Sequence, residues 1–223
     1  MIFRDRSDAG RQLAGQLAKY AGRADAVVLA LPRGGVPVGV AVAEALGLPL
    51  DLFLVRKLGA PAQPELAMGA VASGGVRVLN QEVIEQLGIP PELIEREAAR
   101  EERELERRQQ LYREGRLPAA VEGRVCILVD DGLATGSSMR AAARALRLQR
   151  PARMVIAVPV GAAFTCEELC GEVDELVCVD TPEPFFAVGQ WYDDFAQTRD
   201  DEVRELLRRS AERWERRARQ MSA

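Results

Sequence analysis

The stretch VCILVDDGLATGSS, residues 125–138, runs five apolar residues into two adjacent carboxylates and then into a turn rich in Gly, Thr and Ser. Ending a buried strand on two like charges is costly, so Asp130 and Asp131 either cap a turn or hold something cationic or polyhydroxylated. Thr135, Gly136, Ser137 and Ser138 then open onto an alanine-rich segment with helical character. The first N–H groups of a helix lack intrahelical partners and sit at the positive end of its dipole, so this turn suits an anion. Gly136 permits close backbone approach and the hydroxyls add donors, although the GxxxxGK[ST] pattern of a Walker loop is absent. A phosphate at 135–138 with a diol on the acidic pair describes a phosphorylated ribose, and the same carboxylates could steer magnesium.

Two other turns carry cationic groups. Pro32-Arg33-Gly34-Gly35 follows the apolar run AVVLAL (26–31) and offers a guanidinium with two unencumbered backbone N–H groups. That is a seat for a second anion, although an RGG turn by itself also reads as an ordinary tight turn. Arg56-Lys57 closes LDLFLV (50–55), either as a further cationic contact or as a solvated strand end. Lys57 stands out because the chain has only two lysines among its 30 basic residues. With no histidine anywhere, Ser-His-Asp and Cys-His mechanisms are excluded, and four cysteines without a CxxC offer no zinc-type ligand set. Cys126 and Cys178 lie in apolar runs and read as small core residues.

These turns need a scaffold. Ser7 or Asp8 can cap a first helix carrying Leu13, Leu17 and Tyr20 at helical spacing. A strand at 26–31, a helix over 36–46 and a strand at 50–55 make a strand-helix-strand unit that favours a parallel sheet. The alternation resumes with strands at 124–130, 153–160 and 175–179 and helices at 137–149 and 163–170. In such a sheet ligands bind beyond the carboxyl ends of the strands, where all three turns begin. Between them, 56–75 is punctuated by Gly59, Pro61, Pro64, Gly69, Gly74 and Gly75 and reads as a long irregular loop before a strand at 76–79. Residues 81–116 read as a helical insertion split at Pro90-Pro91. It has a thin apolar seam of Leu93, Ala98, Leu105 and Tyr112, and ion-pair spacings such as Glu92/Arg96 and Glu104/Arg108. It is either a solvated insertion packed by one edge or a dimerisation arm. Residues 180–199 are aromatic and irregular. A final helix over 200–220 carries Val203, Leu207, Trp214, Ala218 and Met221 on one face.

At 223 residues, 48% hydrophobic and 29% charged, the chain can bury one large core as a single α/β domain. No apolar run reaches the length of a membrane span and MIFRDRSDAG lacks a signal-peptide centre, so a cytoplasmic location and no membrane partner are expected. A net charge of −4 gives no global attraction to nucleic acid, so any anion site is local.

The string Asp130 to Ser138 after an apolar strand resembles the phosphoribosyl pyrophosphate (PRPP) signature of type I phosphoribosyltransferases, and the resemblance covers most of the chain outside 81–116. It implies that family's fold: a central, mostly parallel sheet flanked by helices, with a C-terminal hood at 180–199. It also implies that Asp130 and Asp131 contact the ribose hydroxyls and magnesium, and that Ala134, Thr135, Gly136, Ser137 and Ser138 bind the 5-phosphate. Arg33, Gly34 and Gly35 match the pyrophosphate loop, which often carries a non-proline cis peptide. Arg56-Lys57 resembles a PRPP-contacting pair, with Arg33 and Lys57 serving the leaving group, and 58–75 matches the mobile catalytic loop. In the hood, Phe186 would stack on a base and Asp193 would meet its polar edge.

The implied activity is transfer of the 5-phosphoribosyl group to a nitrogen of a nucleobase-like acceptor, with a homodimer expected. FFAVGQWYDDF resembles the purine-salvage enzymes. Ala134 stands where hypoxanthine-guanine enzymes carry Asp, as in adenine enzymes, and no lysine after 153 is placed to read a purine carbonyl; the acceptor stays open. Two rival readings use the same fold: a PRPP or nucleotide sensor without turnover, and a nucleotide-binding structural subunit assembled through 81–116.

Overall fold

Each of the apolar runs becomes a strand because it can be covered on both faces. In the computed structural model, which describes residues 2–61 and 63–221, five parallel strands form one sheet in the order β2-β1-β6-β7-β8. They are β1 (Ala26–Ala30), β2 (Leu50–Leu52), β6 (Val125–Val129), β7 (Arg153–Val160) and β8 (Glu175–Asp180). Alternate residues serve opposite faces. Val125, Ile127 and Val129 join Val28 and Val155 under helices α1 (Arg6–Gln16) and α2 (Gly35–Leu46). Cys126 and Leu128 join Leu29 and Ile156 under α5 (Ser137–Arg147) and α6 (Ala163–Cys170). This is the α/β architecture with a central parallel sheet flanked by helices that the alternation of elements predicts.

Two boundaries move. Helix α1 is capped by Asp5, whose carboxylate accepts from the Asp8 N–H at 2.7 Å, so Ser7 and Asp8 fall inside the first turn. The expected strand at 50–55 ends at Leu52, because Arg113 claims the Leu52 carbonyl at 2.9 Å and the chain turns toward a second sheet.

That second sheet corrects the expected irregular loop. Strands β3 (Val55–Ala60), β4 (Gln63–Ala72) and β5 (Val76–Leu79) form an antiparallel sheet in that order. Small residues hid the hairpin: Gly59, Ala60, Ala67, Gly69, Ala70 and Ala72 lie within the paired strands, which shift register at Leu58/Gly59 and Gly59/Ala60. Gly69 is required by close packing, since a Cβ there would collide with the Val78 carbonyl oxygen. Of the expected 58–75 loop, Ala62 lies outside the described residues.

The helical insertion divides near its prolines into α3 (Gln81–Leu87) and α4 (Pro91–Arg113). Helix α4 lies on β3 and β4 with its buried edge formed by Ile94, Ala98, Glu101, Leu105, Tyr112 and Arg113. Ile94 takes the buried place expected of Leu93, which is half-buried. The Glu104–Arg108 pair forms at 2.8 Å. The edge is partly ionic: buried Arg113 meets Asp51 at 3.1 Å, and Asp51 also accepts the Ala119 N–H at 2.6 Å. Helix α7 (Asp200–Met221) closes the chain across α2 and α4, burying Val203 and Leu207; the side chains of Ala218 and Met221 lie outside the described set. Among the described residues no helix is long and apolar enough to cross a membrane.

Candidate functional site

The acidic pair leaves the carboxyl end of β6, the central strand of the parallel sheet, and meets the turn after β1. A Cβ on Gly35 would sit 2.7 Å from the Val129 carbonyl oxygen and 2.9 Å from Asp130 Cα, so that position admits only glycine, and a Cβ on Gly34 would displace the Asp131 carboxylate. The Asp131 N–H donates to Asp130 Oδ1 at 2.9 Å. Arg6 Nε donates to Asp131 Oδ2 at 2.8 Å, and the hydroxyl of Tyr192 donates to the Asp131 carbonyl at 2.6 Å. Burial, and then the like charge of Asp131, push the Asp130 carboxyl well above the ordinary range. Burial also pushes Asp131 up, opposed by the Arg6 guanidinium.

The loop then continues into the turn at 134–138, expected from the sequence to seat an anion. Leu133 is buried and locks the turn to β7, its N–H donating to the Val160 carbonyl at 2.9 Å. The Thr165 hydroxyl donates to the Ala134 carbonyl at 2.6 Å. Gly136 takes the left-handed conformation at φ 68° just before α5, and a Cβ there would come 2.6 Å from Thr165 Cγ2. Ala134, Thr135, Ser137 and Ser138 are exposed around it, with the Thr135 and Ser137 hydroxyls 3.2 Å apart. The first N–H groups of α5 thus open toward solvent beside two hydroxyls, the arrangement an anion needs.

Arg33 follows a cis peptide between Pro32 and Arg33. Its Nη1 lies 3.7 Å from Asp200 Oδ1, which also accepts the Tyr112 hydroxyl at 2.6 Å. Arg56 turns toward α4, where its Nε meets Glu101 at 2.7 Å. Lys57 is exposed and borders a cavity of about 370 Å³ together with Gly59, Ala60, Pro61, Glu97 and Arg100.

In the hood, Phe186 is 75% exposed, and Asp193 is exposed with its N–H donating to the Phe3 carbonyl at 2.8 Å. The buried aromatic of the hood is Tyr192, packed between Phe3 and Phe195 with ring centroids 5.5 and 5.0 Å away. The structure therefore brings Gly34, Gly35, Asp130 and Asp131 into direct contact, with the cradle on the same loop. It holds Arg33 and Arg56 through carboxylates of α7 and α4.

Sequence reasoning missed Arg6, Tyr192, Phe195 and Thr165. Arg6 reaches Asp131 across 125 positions, lies 3.9 Å from the Phe195 ring centroid and donates to the Ala196 carbonyl at 2.7 Å. No local pattern marks an arginine in a first helical turn as a site residue. Tyr192 had a weak signal, being the aromatic beside Asp193 in the hood segment already singled out.

For a metal, the described residues contain no group of three or more His, Cys, Asp or Glu side chains able to hold one. Asp130 and Asp131 offer two carboxylates, one of whose oxygens is engaged by Arg6. That set fits magnesium only as an ion shared with substrate phosphate oxygens and water, the way magnesium commonly binds.

Comparison with known proteins gives the family and the fold. Residues 65–169 match the phosphoribosyl transferase domain family. A Mycobacterium tuberculosis H37Rv protein named as a phosphoribosyl transferase is 47% identical over 209 residues, 94% of this chain and 47% of its own length. The chain thus spans about half the length of the curated relatives it matches. The crystal structure of TT1426 from Thermus thermophilus is 45% identical and superposes with a TM-score of 0.84, covering 93% of this chain and 98% of that one. By its matched domain, its relatives and the loop that carries its acidic pair and anion cradle, the chain belongs to the type I phosphoribosyltransferase family.

Proposed function

We propose that the chain transfers the 5-phosphoribosyl group of PRPP to a ring nitrogen of a nucleobase-like acceptor and releases pyrophosphate. The observation that carries this reading is the contact of Gly34 and Gly35 with Asp130 and Asp131, beside an anion cradle on the same loop. One β6–α5 loop then presents hydroxyl-reading carboxylates between a phosphate seat and an arginine turn.

In this mechanism the bond from the anomeric carbon to the pyrophosphate oxygen breaks with its electron pair leaving on that oxygen, a bond from that carbon to the acceptor nitrogen forms, and the nitrogen's proton passes to solvent water or the departing pyrophosphate. The transition state is oxocarbenium-like, so the protein's task is to stabilise departing negative charge and exclude water. Ala134 through Ser138 anchor the 5-phosphate, and Asp130 and Asp131 accept hydrogen bonds from the ribose hydroxyls. Arg33, Arg56 and Lys57 with the N–H groups of Gly34 and Gly35 receive the pyrophosphate. The β3–β4 hairpin, in place of the expected loop, is the element that shields the centre. Phe186 stacks on the base and Asp193 reads its edge. Asp130 and Asp131 are the residues that would hold magnesium, which would supply positive charge toward the leaving group.

The experiment is calorimetric titration of PRPP with magnesium, followed by a screen for pyrophosphate release across purine and pyrimidine bases. Binding with base-dependent release is expected and would name the acceptor. Binding without release from any base would replace the transferase by a sensor, and no binding would remove the site.

A further inference from the structure

Helix α4 buries three residues with polar groups, Glu101, Tyr112 and Arg113, and the first two lead to arginines assigned above to the leaving group. Glu101 is 5% exposed, and its Oε2 receives Arg56 through Nε at 2.7 Å and Nη2 at 2.6 Å. Its other oxygen, Oε1, receives Arg100 at 2.9 Å. Three turns further on, buried Tyr112 donates to Asp200 Oδ1 at 2.6 Å, the oxygen that lies 3.7 Å from Arg33 Nη1. On either side of Glu101 the seam is apolar, formed by Ile94, Ala98 and Leu105 against Leu58, Met68 and Val71, and it ends on buried Arg113, paired with Asp51. Packing alone would be served by another apolar residue at 101, because a buried carboxylate loses solvation that only a well-placed partner restores.

Arg33 comes after β1, and Arg56 is the second residue of β3, four residues past the end of β1's neighbour β2, with the Phe53 N–H donating to the Ala30 carbonyl at 3.0 Å between them. Arg56 keeps 31% of its side chain exposed while its fork is held on Glu101. A guanidinium fixed in this way enters a complex without first losing its rotamer freedom, and a planar fork loses little more on binding a phosphate group.

We propose that Glu101 is a positioning residue for the leaving pyrophosphate: it fixes the Arg56 guanidinium, while Tyr112 acts through Asp200 on Arg33, so that the helical insertion is the template for the cationic half of the site. The proposal rests on the reading of Arg33 and Arg56 as pyrophosphate contacts. It gives residues 81–116 a role in ligand binding rather than in assembly.

The test titrates two ligands into the full chain by calorimetry. One is PRPP with magnesium; the other is ribose 5-phosphate, which lacks the pyrophosphate group. The proteins are wild type, Glu101→Gln, Glu101→Ala, Arg56→Ala and the Arg56→Ala/Glu101→Ala double variant. Glu101→Ala is expected to bind PRPP about tenfold more weakly and ribose 5-phosphate within about twofold of wild type. Glu101→Gln, which keeps an oxygen for Arg56 and decides the matter if the alanine variant does not fold, should fall between. In the Arg56→Ala background the loss of Glu101 should cost no further affinity. Equal weakening of both ligands would assign Glu101 a purely structural role and overturn the proposal. PRPP binding by the Glu101 variants that matches or exceeds wild type would also overturn it, while leaving the transferase reading intact. Failure of wild type itself to bind PRPP would take both down.

Discussion

Asp131 meets four separate parts of the chain: Arg6 from the first helix, Tyr192 from the hood, Gly34 from the turn after β1, and Asp130 beside it. Arg6 and Asp131 are little exposed, with side chains 11% and 16% accessible, so removing one partner strands the other in a poorly solvated place. Arg6→Ala should therefore destabilise the protein by about 3 kcal/mol in urea unfolding. In an Asp131→Asn background the same change should cost less by about 1 kcal/mol or more, and identical costs would mean the two residues do not act together. Asp130 is the opposite case, a half-buried carboxylate that loses solvation beside a like charge. Asp130→Asn should raise the unliganded melting midpoint at pH 7 by about 2–4 °C, the shift that about 1 kcal/mol produces in a chain of this size. A lowered midpoint would show that the charge is better compensated than the geometry indicates.

The elements around the site differ in how openly the sequence announced them. Strands β1, β6 and β7 were legible because unbroken apolar runs of that length fit a parallel sheet covered on both faces. The β3–β4 hairpin was not, since glycines and alanines that serve close packing look like loop residues until the neighbouring strand is in place. The cradle was legible from Gly136 and its hydroxyl neighbours, whereas its tie to Thr165 depends on a contact 31 positions away. Helix α4 was legible as a helix with Tyr112 in its seam, but the chemistry of its buried edge was not, because Glu101 resembles a member of an ordinary charged surface, and the Tyr112 hydroxyl an incidental polar tip, until their partners appear.

At this scale pH is an informative probe. Burial, with the Asp200 carboxylate, pushes the Tyr112 phenol up to about 12 from an ordinary value of 10.0. Between those values the folded chain keeps a proton that the unfolded chain has lost, so stability is fully present below about pH 10 and falls as pH rises through the window. Urea midpoints measured from pH 9 to pH 11.5 should fall less steeply for Tyr112→Phe than for wild type. Equal slopes would contradict this account of Tyr112.

For the whole molecule, the orientation of α4 bears on assembly. Its apolar edge faces β3, β4 and α7, and its outward face carries Arg103, Glu106 and Arg107, all exposed. A homodimer formed through the insertion would need an apolar outward face that α4 lacks. Arg103→Glu with Arg107→Glu should leave the mass measured by light scattering unchanged, and a change in mass would place an interface on this helix after all. The sheet, both layers of helices and the loops at its carboxyl edge instead converge on the β6–α5 turn, where the amino-terminal helix, the hood and the glycine turn all meet the acidic pair.

That convergence makes one measurement the most direct: calorimetric titration of PRPP with magnesium into wild type and into the Asp130→Asn/Asp131→Asn variant, with the melting midpoint of each protein recorded alongside. Wild type should bind PRPP at one site per chain, and the variant should bind at least about tenfold more weakly while still unfolding in one cooperative transition above the temperature of the titration. Equal affinity in the two proteins would contradict the assignment of the acidic pair to the ribose and with it the site described here.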